Sequence, residues 1–420
     1  MKTQSENLRK TKEWKRLILY GTLFMILLTL LGSCQENCDK PTYMHYEPIY
    51  APLSEVRVTA DFVGPQVLQS PGKLYYKDNH LFISEINKGI HVINNSIPSR
   101  PEKVGFIDLP GNKDLAAKGD FLYADNYMDL VILDISDKKN IKEVNRLEDV
   151  FNEYYYLNAE TGEVLIDYNI EEREYDVECG EEIIMFETLD FSPINGGGSS
   201  GGTGVGGSMA RFTIMDNYLY TINDWQMKLF DIHTLDSPIP GNEIQLGWGI
   251  ETIFPYQDKL FLGARTGMHI YDNSNPELPT HVSTYSHVNA CDPVVVSGDL
   301  AYVTLRSGTE CETFSNQLDV IDISDIHQPE LLVTHEMENP HGLGINGDCL
   351  FIAEGEYGLK LFNSSNPMTI GDQMIKHHKG VHAFDVIPLD NILFMVGEDG
   401  FYQYEYDCND KLKLLSSIPF

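Results

Sequence analysis

Positive charge is scarce in this chain: 30 Lys and Arg stand against 63 Asp and Glu, a net −33 over 420 residues. A surface of that sign repels phosphate backbones at long range, so no nucleic-acid partner is expected. Cysteine is sparse too, at seven, and none falls in a Cys-x-x-Cys pair, which argues against a zinc ribbon or a thioredoxin-type site. No His-Glu-x-x-His segment occurs and no serine nucleophile elbow is present, and single acids cannot be paired as glycosidase catalysts by sequence alone. The glycine tract Gly196–Gly207 lacks the Gly-Lys-Ser/Thr ending and following helix of a phosphate loop, and reads as a flexible linker. No catalytic residue, metal or cofactor is therefore expected. Core material is not lacking, since 42% of residues are hydrophobic and 11% aromatic, so the acidity is that of a folded protein.

Long apolar runs are confined to the N-terminus. Lys2, Arg9, Lys10, Lys12, Lys15 and Arg16 precede Leu17 to Leu31, interrupted only by Gly21, Thr22 and Thr29. A basic flank, a short apolar stretch and then small residues have the shape of a secretory signal. Leu31-Gly32-Ser33-Cys34 resembles the lipobox of bacterial lipoproteins, in which the Cys carries diacylglycerol and becomes the first residue. That resemblance implies a signal peptide over 1–33, lipidation at Cys34, and attachment through acyl chains. The alternative is an ordinary transmembrane anchor with a chance Cys. Beyond residue 33 the chain holds 24 bases and 61 acids, near −37.

Repetition is the strongest signal in the remainder. Seven apolar pairs recur: Leu81-Phe82, Leu122-Tyr123, Leu219-Tyr220, Leu260-Phe261, Ala301-Tyr302, Leu350-Phe351 and Leu393-Phe394. Their aromatics lie 41, 97, 41, 41, 49 and 43 residues apart, the 97 being one period plus an insertion. A second apolar block follows most pairs, as in Leu130-Val-Ile-Leu-Asp134 and Met227-Lys-Leu-Phe-Asp231. Each unit reads as four short strands joined by Gly, Asn and Asp turns, and apolar runs on consecutive residues indicate sheets covered on both faces. The expected fold is all-β: a seven-bladed β-propeller of four-stranded blades, with one long insertion. It spans 61–420 with the insertion at about 145–208, and 34–60 is a tether. Glu55–Thr59 and Leu412–Leu415 are both candidates for the strand that completes the terminal blade.

The blocks Leu130–Ser136 and Leu318–Ser324 closely resemble the LVIVD repeat, a family of propeller units common in secreted and surface proteins of bacteria, including many lipoproteins of the Bacteroidetes. The resemblance is strongest in units two and five. It implies fold and location, namely placement in the cell envelope at the outer membrane, and says little of activity.

Asp134, Asp231, Asp272 and Asp322 recur at the block ends, with Asn94 and Asn363 in equivalent places; each is expected to cap the turn that follows. The repeated aromatics are expected in the core. In a propeller the loop between strands two and three and the loop into the next blade share a rim, and both long departures from the repeat, 145–208 and 306–316, fall there. That rim is the expected working face. Cys291 opens the inner strand of unit five and Cys311 lies in its long loop, so the hairpin geometry makes a disulfide the expected state, with two independent thiols the alternative. Cys349 is expected to be a small core residue. Entry positions of the inner strands supply Asp114, Arg211, Glu251, His287, Asp292, His341, His382 and Asp385, a polar set with the chemistry to bind a ligand or simply to face water.

The sequence thus points to a lipid-anchored, extracytoplasmic, monomeric binding or scaffolding module for a protein or glycan, held to the membrane through its acylated terminus. The competing reading is a hydrolase or lyase acting on envelope or other polysaccharide through the channel-mouth residues.

Overall fold

A computed structural model of the chain describes residues 14, 42–151, 157–158, 160–174, 205–287, 293–306 and 316–419. Cys34, Cys291, Asp292 and Cys311 lie outside the described residues, as do most of the glycine tract and most of the 306–316 loop. The chain divides into two compact units. In the smaller one, the outer parts of β1 (Thr42–Ala51) and β11 (Val164–Glu174) form a ribbon on which Tyr46 and Tyr168 meet edge to face at 6.0 Å.

The larger unit is a seven-bladed β-propeller, each blade an antiparallel sheet. Blade 1 is β3–β6 (Pro71–Lys77, His80–Glu85, Gly89–Asn94, Glu102–Asp108), extended at its outer edge by β2 (Asp61–Val63), and blade 2 is β7–β10 (Leu115–Lys118, Phe121–Asn126, Asp129–Asp134, Lys142–Leu147). After β12 (Val205–Gly206) comes blade 3, β13–β16 (Phe212–Met215, Tyr218–Ile222, Gln226–Asp231, Ile239–Gln245). Blade 4 is β17–β20 (Ile250–Tyr256, Lys259–Ala264, Gly267–Asp272, Thr280–Ser286) and blade 5 is β21–β24 (Val294–Ser297, Leu300–Leu305, Gln317–Asp322, Glu330–Glu336). Blade 6 is β25–β28 (Leu343–Asn346, Cys349–Ala353, Leu359–Asn363, Met374–His378) and blade 7 is β29–β32 (Ala383–Leu389, Ile392–Gly397, Gly400–Tyr406, Leu412–Pro419). The rim at which each inner strand begins is called the top here.

Turn chemistry repeats as faithfully as the apolar pattern. The hairpin between the first and second strands places one left-handed residue at the same position in every blade: Asp78, Gly119, Asp216, Gln257, Gly298, Gly347 and Asp390, at φ of 49–61°. Asn94, Asp134, Asp231, Asp272, Asp322 and Asn363 each accept the backbone N–H two residues on, at 2.8–3.0 Å, which is the expected capping role. The seven repeated aromatics are all buried, as the second-strand position between two facing sheets requires.

Neighbouring blades are tied by one recurring bond: the outer strand donates to a carbonyl in the bottom turn of the next blade. Asn145 reaches Asp236, Asn242 reaches Glu277, Ser283 reaches Ile326, His335 reaches Pro367, and Ser416 reaches Pro98. The last of these joins blade 7 to blade 1. Of the two candidate closing strands, the C-terminal one is used: Leu412–Pro419 pairs with β31, and the Glu55–Thr59 segment does not join the terminal blade. The ring therefore closes by packing, with Leu74, Leu81, Ile83 and Ile93 against Ile387, Phe394, Phe401 and Ile418.

Cys349 is fully buried at the start of β26, as expected of a core residue, but it is not a free thiol. It forms a disulfide with Cys408 in the β31–β32 turn, Cα–Cα 5.1 Å, linking blade 6 to blade 7 at the bottom rim. The partner is set by blade packing across 59 residues, which no local pattern announces.

Candidate functional site

The strand registers align seven equivalent positions at the top of the inner strands, four just before the strand and Lys73, Thr252 and Asp385 within it: Lys73, Asp114, Arg211, Thr252, Pro293, Gly342 and Asp385. Three of these belong to the expected polar set; Lys73 does too by register, and sequence reading missed it. The channel mouth is not left to water. The chain returning from the insertion pairs β12 with the inner edge of β3, then runs across the axis before entering blade 3.

The bonds along this crossing use channel side chains and the backbone of residues next to channel positions. Ser208 donates N–H and Oγ–H to Asp385 Oδ1 at 3.3 and 3.2 Å, while its Oγ accepts from Leu343 N of blade 6 at 2.9 Å. Lys73 Nζ donates to Met209 O at 3.0 Å, and Ile253 N of blade 4 donates to Ala210 O at 2.8 Å. Asp114 Oδ2 accepts from Arg211 N at 2.6 Å and Phe212 N at 3.2 Å. Blades 1, 2, 4, 6 and 7 all hold the segment. Its last glycine is needed for close approach, since a Cβ on Gly207 would fall 1.8 Å from Asp385 Oδ2. The expectation of a flexible linker therefore fails for residues 205–207, where the backbone is bonded and enclosed.

Burial dominates the electrostatics of this cluster. It lowers Lys73 to about 8 against the pull of Asp114, and raises Asp385 to about 6. Asp114 is raised by burial, and Asp125, which accepts from Lys113 N and Asp114 N, is raised by burial to about 6. A carboxyl whose folded pKa lies above its unfolded value of about 3.9 favours folding fully below that value and loses the contribution as pH rises through the folded pKa. Asp385→Asn keeps an acceptor for Ser208 and Val386 but no charge. It is expected to flatten the fall in thermal midpoint between about pH 4 and 6.5, measured by calorimetry against wild type; superimposable profiles would refute this titration.

The remaining expected residues separate into local pairs. Glu251 is buried, which raises its pKa, and accepts from Arg265 Nε at 3.1 Å; Arg211 Nη2 donates to Asp224 at 3.1 Å. His341 falls to about 3 through burial, with Arg306 and His382 adding repulsion, so its ring is neutral at ordinary pH. His382 pairs with Glu398, and both histidines flank the Phe384 ring. His287 lies beside Tyr285, ring centroids 6.2 Å apart. Among the described residues, no group of three or more His, Cys, Asp or Glu is placed to hold a metal ion.

The top rim carries the N-terminal segment, the start of the insertion and an exposed tryptophan loop. The N-terminal segment packs there on blade 2, where Ala51 and Val56 of α1 (Leu53–Val56) and its approach meet Met128 and Val164. Arg57 grips the fully buried Asp129 through Nε and Nη2, both at 2.9 Å, and Arg146 Nη1 adds a third bond at 3.0 Å. The insertion leaves this rim after Leu147, at the end of β10. Between blades 3 and 4 the loop Leu246–Ile250 lifts Trp248 into solvent, stacked on Arg265.

The LVIVD repeat model matches residues 111–149 and 289–335. Two segments of the chain are thus similar to the LVIVD repeat. The matched LVIVD segments are blades 2 and 5, which hold Leu130–Ser136 and Leu318–Ser324. No curated protein sequence matches the chain. A crystal structure of a Lactobacillus plantarum protein is similar in fold, with a TM-score of 0.54 at 12% identity, covering 83% of this chain and 96% of that one. The computationally designed Ika8 protein is similar as well, with a TM-score of 0.51 at 10% identity, covering 83% and 87%. At such identities the likeness speaks for the fold alone.

Proposed function

We propose that this LVIVD-repeat propeller is a lipid-anchored protein of the bacterial cell envelope, on the outer membrane, that binds a protein or glycan ligand with its top rim. One observation carries the reading: Lys73, Asp114 and Asp385 at the channel mouth are spent on holding the crossing segment, whereas the N-terminal segment, the insertion and the Trp248 loop all issue from the top rim. A rigid ring with independent loops on one side is a binding scaffold. Engagement of Asp114, Arg211 and Asp385 by the chain itself also weighs against the hydrolase or lyase reading. The Cys349–Cys408 bridge agrees with an oxidising compartment, and the Leu-Gly-Ser-Cys34 junction supplies the anchor.

The test compares rims. Trp248→Ala and Tyr357→Ala alter exposed top-rim side chains, while His327→Ala and Met368→Ala alter exposed bottom-rim ones. Against any ligand captured from intact cells and then purified, the top-rim pair is expected to weaken binding about tenfold or more and the bottom-rim pair to leave it unchanged. Equal loss from both rims, or loss from the bottom alone, would refute the assignment.

A further inference from the structure

We infer that Trp248 is the platform of a binding site for a neutral oligosaccharide; this deepens the rim-binding reading and rests on it. Trp248 is 61% exposed, yet it does not sit on a loose loop. Leu246 N donates to Trp225 O at 2.7 Å, Ile250 N to Asp224 O at 3.0 Å, and Arg265 N to Gly249 O at 2.9 Å, so blades 3 and 4 clamp the loop from both sides. Gly247 and Gly249 take φ of +108° and +81°, the left-handed values that a tight presentation of the intervening residue requires. The Arg265 guanidinium lies 5.1 Å from the indole centroid and is itself fixed by Glu251, which is 7% exposed. One face of the ring is thus occupied by a held cation, and the indole is pre-organised at no further entropic cost to a ligand.

The polar groups around this platform fix the kind of ligand. Arg211 and Asp224 bond to each other at 3.1 Å beside the loop, with side chains 22% and 42% exposed, and retain further N–H donors and a second carboxylate oxygen. Two guanidiniums and two carboxylates balance, so the site has no net charge to offer an anion, and a chain of −33 repels anionic polymers before contact. A pyranose ring matches the arrangement: its C–H face covers an indole, and its vicinal hydroxyls both donate to a carboxylate and accept from a guanidinium. Large rigid aromatics supply contact area at low ordering cost, with polar neighbours fixing orientation.

The experiment uses the full chain in detergent with cellohexaose, maltohexaose, mannohexaose and, as the acidic control, hexagalacturonate. Indole emission and calorimetry are the readouts; Trp14 and Trp225 remain in Trp248→Ala, so the emission change lost in that variant is the Trp248 signal. At least one neutral hexasaccharide is expected to shift the emission and bind. Trp248→Ala should abolish the shift and weaken binding about tenfold with an unchanged thermal midpoint, and Arg265→Ala should weaken it about threefold. The inference is overturned if no neutral hexasaccharide binds, if hexagalacturonate is preferred, or if Trp248→Ala binds as wild type. If these sugars fail while a purified ligand still depends on the top rim, the glycan site falls and the rim-binding reading stands; if both fail, both fall.

Discussion

Replacing both Cys349 and Cys408 with Ala is expected to lower the stability of the propeller by about 4 kcal/mol, the chain-entropy value for a loop of this length. Two features make the effect large. The bond closes a loop of 59 residues spanning a blade junction, and it adds a covalent tie at a rim where the junctions of blades 2 and 3 and of 3 and 4 are held by hydrogen bonds. Without it the junction of blades 6 and 7 keeps its packing, including Phe351 and Tyr406 edge to face at 4.7 Å, and the Asn346 bonds to Asp390 and Tyr406, but loses its covalent tie. With an unfolding entropy on the order of 0.8 kcal/mol/K for a domain this size, the midpoint should fall by about 5 °C. Dithiothreitol should reproduce the shift in wild type and not in the double variant. A double variant as stable as wild type would show that the bridge adds nothing.

Asp129→Ala is expected to cost about 3–5 kcal/mol, because it removes the fully buried carboxylate that two guanidiniums share and leaves them facing its site. Arg146 keeps Glu143, bonded at 2.9 Å, but Arg57 keeps only the exposed Glu148 and Asp149. The N-terminal segment then loses its main attachment to blade 2, so hydrogen exchange should rise over 51–60 while blades 4 to 6 stay protected. Arg57→Ala alone, which leaves Asp129 with Arg146, should cost less. Denaturant unfolding of the two single variants and the double variant measures the coupling; a loss below about 1 kcal/mol for Asp129→Ala would contradict the account.

The fold was legible because each blade obeys the same local rules. The aromatic at the second strand, the Asp or Asn at the end of the third, and the turn residue at Asp78 or Gly298 are each dictated within a few residues. What escaped is what the ring imposes from a distance. Lys73 occupies the register of Asp114 and Asp385, so alignment of the units could have found it; its bond to Met209 spans 136 residues and could not be foreseen. Of the expected polar set, Asp114 and Asp385 bond to the chain itself, because a flexible-looking glycine stretch carries the backbone close enough to be bonded. Trp248 had no repeat counterpart to mark it. Buried Glu85 and Glu354, which accept backbone N–H groups of Gln69 and Ser70 and of Glu338 and Asn339, likewise show their role only once strand ends meet loops.

Blade 7 meets blade 1 without exchanging a strand, and this has a consequence during biosynthesis. Leu74, Leu81, Ile83 and Ile93 leave the ribosome early, yet their cover of Ile387, Phe394, Phe401 and Ile418 arrives from the far end of the polypeptide. Until then the nascent array has a naked greasy wall, able to adhere to the same wall on a second molecule. Premature termination within the last blade should accordingly yield insoluble material, where a six-bladed remnant might have been hoped for; blade 7 is the keystone, and solubility is decided when it seats.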